Sequence, residues 1–461
     1  MFLIHACLTV GAVQANTVNN FNDYSLELQK ELGREFTNHL HTQYDVVQDP
    51  EINQYIRSLG HKIAQHTDNT KSFRFYVINN PDINAFAGPN GVIGIHTGLI
   101  QSVTTEDELA SVIAHEIAHV TQDHLYRRLI LQSESTLPQI ASMIAAILIG
   151  TQDTNAGMAA LLSANALQIQ QQLKYSRLHE YEADHAGISY LHKSGYNPHA
   201  MPDFFEKLAS AYQHYGLSAP EILRTHPLTE NRLAKAQERA LSLAVNKNFQ
   251  DNTSLQLIQE RVNKLYTPKA STNPINNVEA VTCYRESLKQ VSDQKEPLNM
   301  GSCLSGLVKN NPQQFLYHAL LLERLTKENN TKDTSNTKKS HAFSVELFPT
   351  NESIVIRYAL LLVSENRDKA AIALLEESIQ RLEYKHSIYT LLSKLYKNQN
   401  NTAYSYLNLA LAQYEIGNIK RAAIHIQKAK TSIGEKNSPI KIRIEHMEEK
   451  LSKLLKEDAK E

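Results

Sequence analysis

Residues 109–124, LASVIAHEIAHVTQDH, decide how the rest of the chain is read. On an α-helix, side chains four apart leave from one face, so His115 and His119 can hold one metal ion between two imidazoles. Glu116 falls one step round, beside the metal's open position, where a carboxylate can take a proton from water. The local sequence favours the helix. Thr105 and Glu108 have capping-box spacing, and Leu109, Val112, Ile113, Ile117 and Val120 recur at helical intervals. Two histidines four apart also arise on helices without a shared role, so the reading turns on a third ligand.

That ligand is sought in Ser176-Arg177-Leu178-His179-Glu180-Tyr181-Glu182-Ala183-Asp184, which opens a second helix reaching about Ser194, with Ser176 as its cap. Glu180 and Asp184 share a face, whereas Glu182 points away. Small Ala183 and Gly187 allow close approach to the first helix. Glu180 is therefore the expected third ligand, and Asp184 is placed to hydrogen-bond the far nitrogen of a ligating imidazole. The competing reading is a solvated acidic face. A compact site with a third histidine close behind is excluded, because its Gly would fall at Gln122 and its His at Leu125. His124 is one place off and reads as a surface histidine, and His179, His185 and His192 lack ligand spacing.

The strands come earlier. From Tyr24 to His66 the pattern is helical with a break at Asp49-Pro50. Residues 72–79 alternate in aromatic and β-branched residues and read as a strand; a turn-rich segment with Gly88, Pro89 and Gly91 follows, then a second strand over 92–97. A short sheet thus precedes the metal helix. An edge strand formed from Asn84, Phe86, Val92 and Ile93 is expected to pair with an extended peptide, or else the two strands are a hairpin that only supports the helix.

Composition narrows the class. The 461 residues carry 47 Lys and Arg against 48 Asp and Glu, with no strongly basic run, so nothing argues for nucleic acid. A 42% hydrophobic content suffices for a buried core, and the absence of Trp with few Gly suits a helical protein. Residues 1–15 read as a secretory signal: Phe2 to Val13 is apolar, and Val13-Gln14-Ala15 offers small residues for cleavage before Asn16. No Lys or Arg precedes the apolar run, which leaves a buried N-terminal element as the alternative; Ile4-His5-Ala6-Cys7 is rejected as a lipoprotein box. Cys283 and Cys303 would remain in the exported chain, on neighbouring helical segments, and can pair. The apolar stretches 137–150 and 156–169 fall short of the roughly 18 residues a spanning helix needs. They read as a buried helical pair, or as a surface for peripheral contact with membrane or an apolar client.

Four motifs together carry a resemblance: Asn84-Ala85-Phe86-Ala87, the His115-Glu116-x-x-His119 set, Ser176-Arg177-x-x-Glu180-x-x-Ala183-Asp184, and Thr225-His226-Pro227. The chain resembles the family of CAAX prenyl endopeptidases and bacterial heat-shock membrane proteases, in its secreted branch with a C-terminal repeat domain. The resemblance implies a gluzincin-type metallopeptidase domain over 16–245, mainly α with a small sheet, and one zinc ion on His115, His119 and Glu180. It also implies Glu116 as general base, and His226 as a removable fourth ligand that can later act in catalysis. By residues alone His226 is a loop histidine before Pro, and Arg232, one turn into the next helix, can orient an acidic partner.

From 246 to 461 the character changes to helix pairs. Tyr406, Leu409, Ala410, Gly417, Ala422, Ile426 and Ala429 fit a tetratricopeptide-like pattern, and residues 347–351 resemble the turn between such repeats. Ala371 and Ala422 are further apart than the usual repeat of about 34, so an additional helix intervenes. Residues 331–339 read as a polar loop. The resemblance places the protein in the periplasm of a Gram-negative bacterium, acting as protease and chaperone on unfolded or stalled outer-membrane proteins. The repeat domain would then contact the outer-membrane β-barrel assembly machinery. The rival is a repeat-based chaperone or scaffold whose zinc site is structural or latent.

Overall fold

A computed structural model describes residues 26–67, 71–127, 141–142, 144–145, 177–215, 220–244, 251–266, 277–293, 301–328, 342–433 and 438–457. The signal segment 1–15, the apolar stretch 156–169, most of 137–150, the cap Ser176 and the loop 331–339 lie outside these residues.

The chain is mainly helical with one small sheet, as the sequence pattern predicts. Helices α1 (Leu26–Gln43) and α2 (Pro50–Ala64) flank the Asp49-Pro50 break, and Asp49 caps α2 by accepting from Ile52 N–H at 3.0 Å. Strands β1 (Arg74–Ile78), β2 (Ala85–Ala87) and β3 (Val92–His96) form a sheet in the order β1-β3-β2, with β3 parallel to β1 and antiparallel to β2. Period-two alternation sends Phe75, Val77, Ile93 and Ile95 into one core and Tyr76, Ile78, Phe86 and Val92 into another, so both faces are covered. At the β2–β3 turn, Gly91 has φ 73° and a Cβ there would fall 2.0 Å from the Ser72 carbonyl oxygen, so only glycine fits.

This topology corrects the expected substrate strand. Val92 and Ile93 lie on the central strand, with partners on both sides, and cannot offer an edge. Asn84 and Phe86 belong to the β2 side, which is an edge of the sheet but is buried.

After α3 (Thr97–Ser102), the metal helix α4 (Glu106–Thr121) starts at Thr105, whose hydroxyl accepts from Glu108 N–H at 3.2 Å. The Glu108 carboxylate reaches back one residue further than a capping box requires, taking Thr104 N–H at 2.6 Å and Thr104 Oγ1 at 2.9 Å. Every residue of α4 from Leu109 to Val120 is buried, as expected of a helix with apolar or site-facing groups all round. Helices α5 (Arg177–Lys193), α6 (Ala200–Tyr215), α7 (Glu221–Thr225) and α8 (Glu230–Leu241) close over it.

Further helices include α9 (Thr253–Leu265), α10 (Val278–Asp293), α11 (Gly301–Asn310), α12 (Phe315–Glu328), α13 (Glu352–Ser364), α14 (Asp368–Ser378), α15 (His386–Asn398), α16 (Thr402–Glu415), α17 (Ile419–Thr431) and α18 (Ser438–Glu457). Cys283 and Cys303 form a disulfide between α10 and α11, with Cα atoms 6.3 Å apart. The change of pattern near 246 does not end the first core, which runs on through Leu255, Ile258, Tyr284 and Leu304 to Leu320. Separate apolar clusters follow around α13–α15 and around α16–α18. The extra helix inferred from the spacing of Ala371 and Ala422 is α15. Ala141, Ile144 and Ala145, the described part of the first apolar stretch, are buried against α1 and the sheet. Among the described residues no helix is long and apolar enough to cross a membrane.

Candidate metal centre

α4 presents His115 and His119 one turn apart, α5 brings up Glu180, and the loop between α7 and α8 adds His226. One ligand atom from each of these four lies within 4.8 Å of the others, and all four residues are buried. His115 Nε2 is 2.9 Å from His119 Nε2 and 3.3 Å from His226 Nδ1. Glu180 Oε1 is 3.0 Å from His226 Nδ1 and 3.6 Å from His119 Nε2. A tetrahedral zinc with bonds of about 2.0–2.1 Å sets its ligand atoms about 3.3 Å apart, so imidazoles and a carboxylate at these separations suit one zinc ion. The electrostatics agree. Burial would lower the His115 pKa, but hydrogen bonds and charge from Asp184 and Glu180 raise it to about 9. Carboxylates that favour a proton there favour a cation for the same reason.

The supporting layer is ordered. His115 Nδ1 lies 2.9 Å from Asp184 Oδ1, the role the i, i+4 pairing with Glu180 suggested. Arg232, at the start of α8, holds both carboxylates: Nη1 is 2.6 Å from Glu180 Oε2, and Nε and Nη2 donate to Asp184 at 2.6 and 2.9 Å. Burial would push the Glu180 carboxyl up, but the His226 and Arg232 charges and the imidazole hydrogen bonds hold it well below the usual range. Arg232 Nη1 also donates to the His226 carbonyl at 3.2 Å, tying that loop to the site.

Glu116 is wholly buried beside the ligands, with neither oxygen hydrogen-bonded among the described residues. Burial raises its pKa, with the His226 and His115 charges opposing. His226 Nε2 approaches Glu116 Oε1 to 3.5 Å, so the histidine bridges between the third ligand and this carboxylate.

His115, Glu116, His119, Glu180, Asp184 and His226 thus come together. Phe86, Val92 and Ile93 lie in the sheet and Asn84 just before β2, outside this group, and Cys283 and Cys303 stand in the helices beyond 246. His124 is corrected: it is fully buried, with Nδ1 2.9 Å from His119 Nδ1. Glu182 stays off the ligand group, yet it accepts from His124 Nε2 at 2.9 Å. His179 is also no bystander, since its ring stacks on His124 with centroids 4.5 Å apart. A histidine five residues past His119 was the available signal for this layer.

Residues 48–240 match the model of peptidase family M48. Over 217 residues, 47% of this chain, the sequence is 40% identical to the beta-barrel assembly-enhancing protease of Escherichia coli (strain K12), covering 44% of that protein. The protein of the same name from Yersinia pestis is 36% identical over the same shares. The mitochondrial metalloendopeptidase OMA1 of Arabidopsis thaliana is 29% identical over 42% of this chain and 37% of its own length. The aligned part spans less than half the length of each of these relatives. Residues 48–240, which gather two histidines and a glutamate for one metal with a carboxylate beside them, are thus similar to peptidase family M48 over that span.

Proposed function

We propose that the protein is a periplasmic zinc metalloendopeptidase that acts on unfolded or stalled outer-membrane β-barrel proteins, with its helical region contacting the assembly machinery. The observation that carries the peptidase reading is a buried ligand set with a carboxylate on the same helix, inside the stretch that matches a peptidase family. The names of the bacterial relatives support the substrate class. His115, His119 and Glu180 would hold a zinc ion, whose Lewis acidity would make water nucleophilic near neutral pH and polarise a carbonyl. Glu116 takes the proton from the attacking water and delivers it to the leaving amine. Its burial, and the pKa raised by that burial, suit a group that must hold a proton briefly and release it. Glu116→Gln should retain one zinc per chain by elemental analysis while hydrolysis of an unfolded β-barrel protein falls by at least about 100-fold. Undiminished cleavage would remove Glu116 from this role.

His226 favours a second reading, in which the resting site is latent and the chain serves as a chaperone or scaffold. Its ring stands among the ligands and within 3.5 Å of Glu116, where it would compete with water for the metal. The segment that carries it also occupies the start of the buried edge strand, where Ile222 N–H donates to the Ile83 carbonyl at 3.2 Å. Movement of α7 and its loop would open the fourth metal position and free that carbonyl together. His226→Ala is expected to raise basal proteolysis; unchanged or lower activity would exclude an inhibitory histidine. Complementation by Glu116→Gln separates the two readings, since a scaffold would rescue fully.

A further inference from the structure

The chemistry above leaves a buried polar layer beneath His119 unused. α4 ends in a Schellman turn: His124 N–H donates to the His119 carbonyl and Asp123 N–H to the Val120 carbonyl, both at 3.1 Å. Asp123 takes the left-handed φ of 55° that this turn needs, a conformation disfavoured for a residue with a side chain and commonly filled by Gly. The turn folds His124 back under the ligand it follows. There, its Nδ1 is 2.9 Å from His119 Nδ1, and its Nε2 is 2.9 Å from Glu182 Oε2. Arg127 Nη1 holds the same carboxylate oxygen at 2.7 Å. His124 is fully buried, its ring stacked on His179 at an interplanar angle of 17°.

Proton bookkeeping selects one arrangement. His119 must keep the Nε2 lone pair for the metal, so its proton sits on Nδ1 and is donated to His124 Nδ1. The His124 proton is then on Nε2 and is donated to the Glu182 carboxylate, which accepts a second bond from Arg127. Both ring nitrogens of His124 and the Nδ1 of His119 then have partners, and the ligand's tautomer is fixed.

We propose that His124 and Glu182 are positioning residues for His119, a two-step relay that aims its ring and holds its metal-binding tautomer, as Asp184 does in one step for His115. The inference rests on the metal site proposed above and adds two groups that ligand spacing does not reveal.

The test is zinc affinity, measured on the full chain by competition with a chromophoric chelator, together with thermal unfolding of the metal-free protein. His124→Leu fills much of the same space without an acceptor and should weaken zinc binding about 10- to 100-fold. His124→Asn returns a carbonyl oxygen close to the Nδ1 position and should recover affinity to within a few-fold of the parent. Glu182→Ala is at a partly exposed position and carries the test should the buried substitution prevent folding, with an expected loss of about 3- to 10-fold. Parental affinity in His124→Leu or Glu182→Ala would overturn the relay, as would an Asn variant no better than Leu at matched unfolding temperatures. If the parent itself fails to bind stoichiometric zinc, the metal site falls; if it binds and the variants match it, the relay alone falls.

Discussion

Arg232 joins the two carboxylates on which the metal site depends. Its guanidinium is 2% exposed and contacts Glu180 and Asp184 at 2.6–2.9 Å, while Nη1 also reaches the carbonyls of His226 and Pro227. Buried ions of one sign persist only beside their partners, so Arg232→Leu strands two carboxylates and should lower stability by about 3–5 kcal/mol in denaturant unfolding. Arg232→Lys should recover only part of this, because an ammonium cannot fork across both groups. A loss under about 1 kcal/mol in Arg232→Leu would mean that the carboxylates are satisfied without it. His115, His119, Glu180 and Asp184 were legible because each pair sits on one helix, where spacing fixes direction. Arg232 was legible only as a candidate, since its partner lies 48 positions away and no local period links them. His124 was misread because it follows the helix end, where direction comes from the turn at Asp123 instead of from helical spacing.

At the scale of elements, the site requires α4 and α5 to lie close. A Cβ on Gly187 would sit 3.1 Å from the Ala114 carbonyl oxygen and 3.0 Å from Met201 Cε. The Met201 methyl can swing aside, whereas the Ala114 carbonyl belongs to the helix that carries His115. Gly187→Val should therefore push α5 outward, cost about 1–3 kcal/mol by overpacking, and draw Glu180 off the histidines. Zinc affinity should fall with stability; a valine variant that binds zinc as the parent does would show that α5 accommodates the change elsewhere. The need for small residues was visible in the sequence, but the order of the strands was not. Two short strands and a turn suggest a hairpin, and nothing local announces that β1 lies parallel to β3 and makes it central. That choice depends on covering both faces, with α2 and α4 on one side and α1 with Tyr126 and Ile144 on the other.

For the whole molecule, the metal-site region and the helical region beyond it are joined by buried polar contacts as well as by the continuous core. Arg261 of α9 lies between Asp49, Glu51 and Glu323, and Arg357 of α13 donates to Glu51 at 2.6 and 2.8 Å. Burial would raise the Glu51 carboxyl, yet the Arg261 and Arg357 charges bring it down to about 2. The Tyr384 hydroxyl accepts from Phe75 N–H at 2.8 Å, which ties the loop before α15 to β1. His41 of α1 lies at the same junction, its ring 5.2 Å from Tyr76 and 5.8 Å from His386. Burial, then the neighbouring His386, Arg57 and Arg74, lower its pKa to about 3. The sign follows from the direction of that shift. The unfolded chain protonates His41 near 6.5, whereas the folded chain resists until about 3, so its contribution is complete above pH 6.5 and is lost as the pH falls from there. Between pH 7 and pH 5 the loss should reach about 2 kcal/mol from this group. With no Trp in the chain, urea unfolding followed by circular dichroism is the suitable measurement. His41→Gln, which cannot titrate, should show a pH-dependent drop smaller by that amount. Equal drops in parent and variant would mean that proton uptake elsewhere governs the acid sensitivity and that the α1 junction is indifferent to pH.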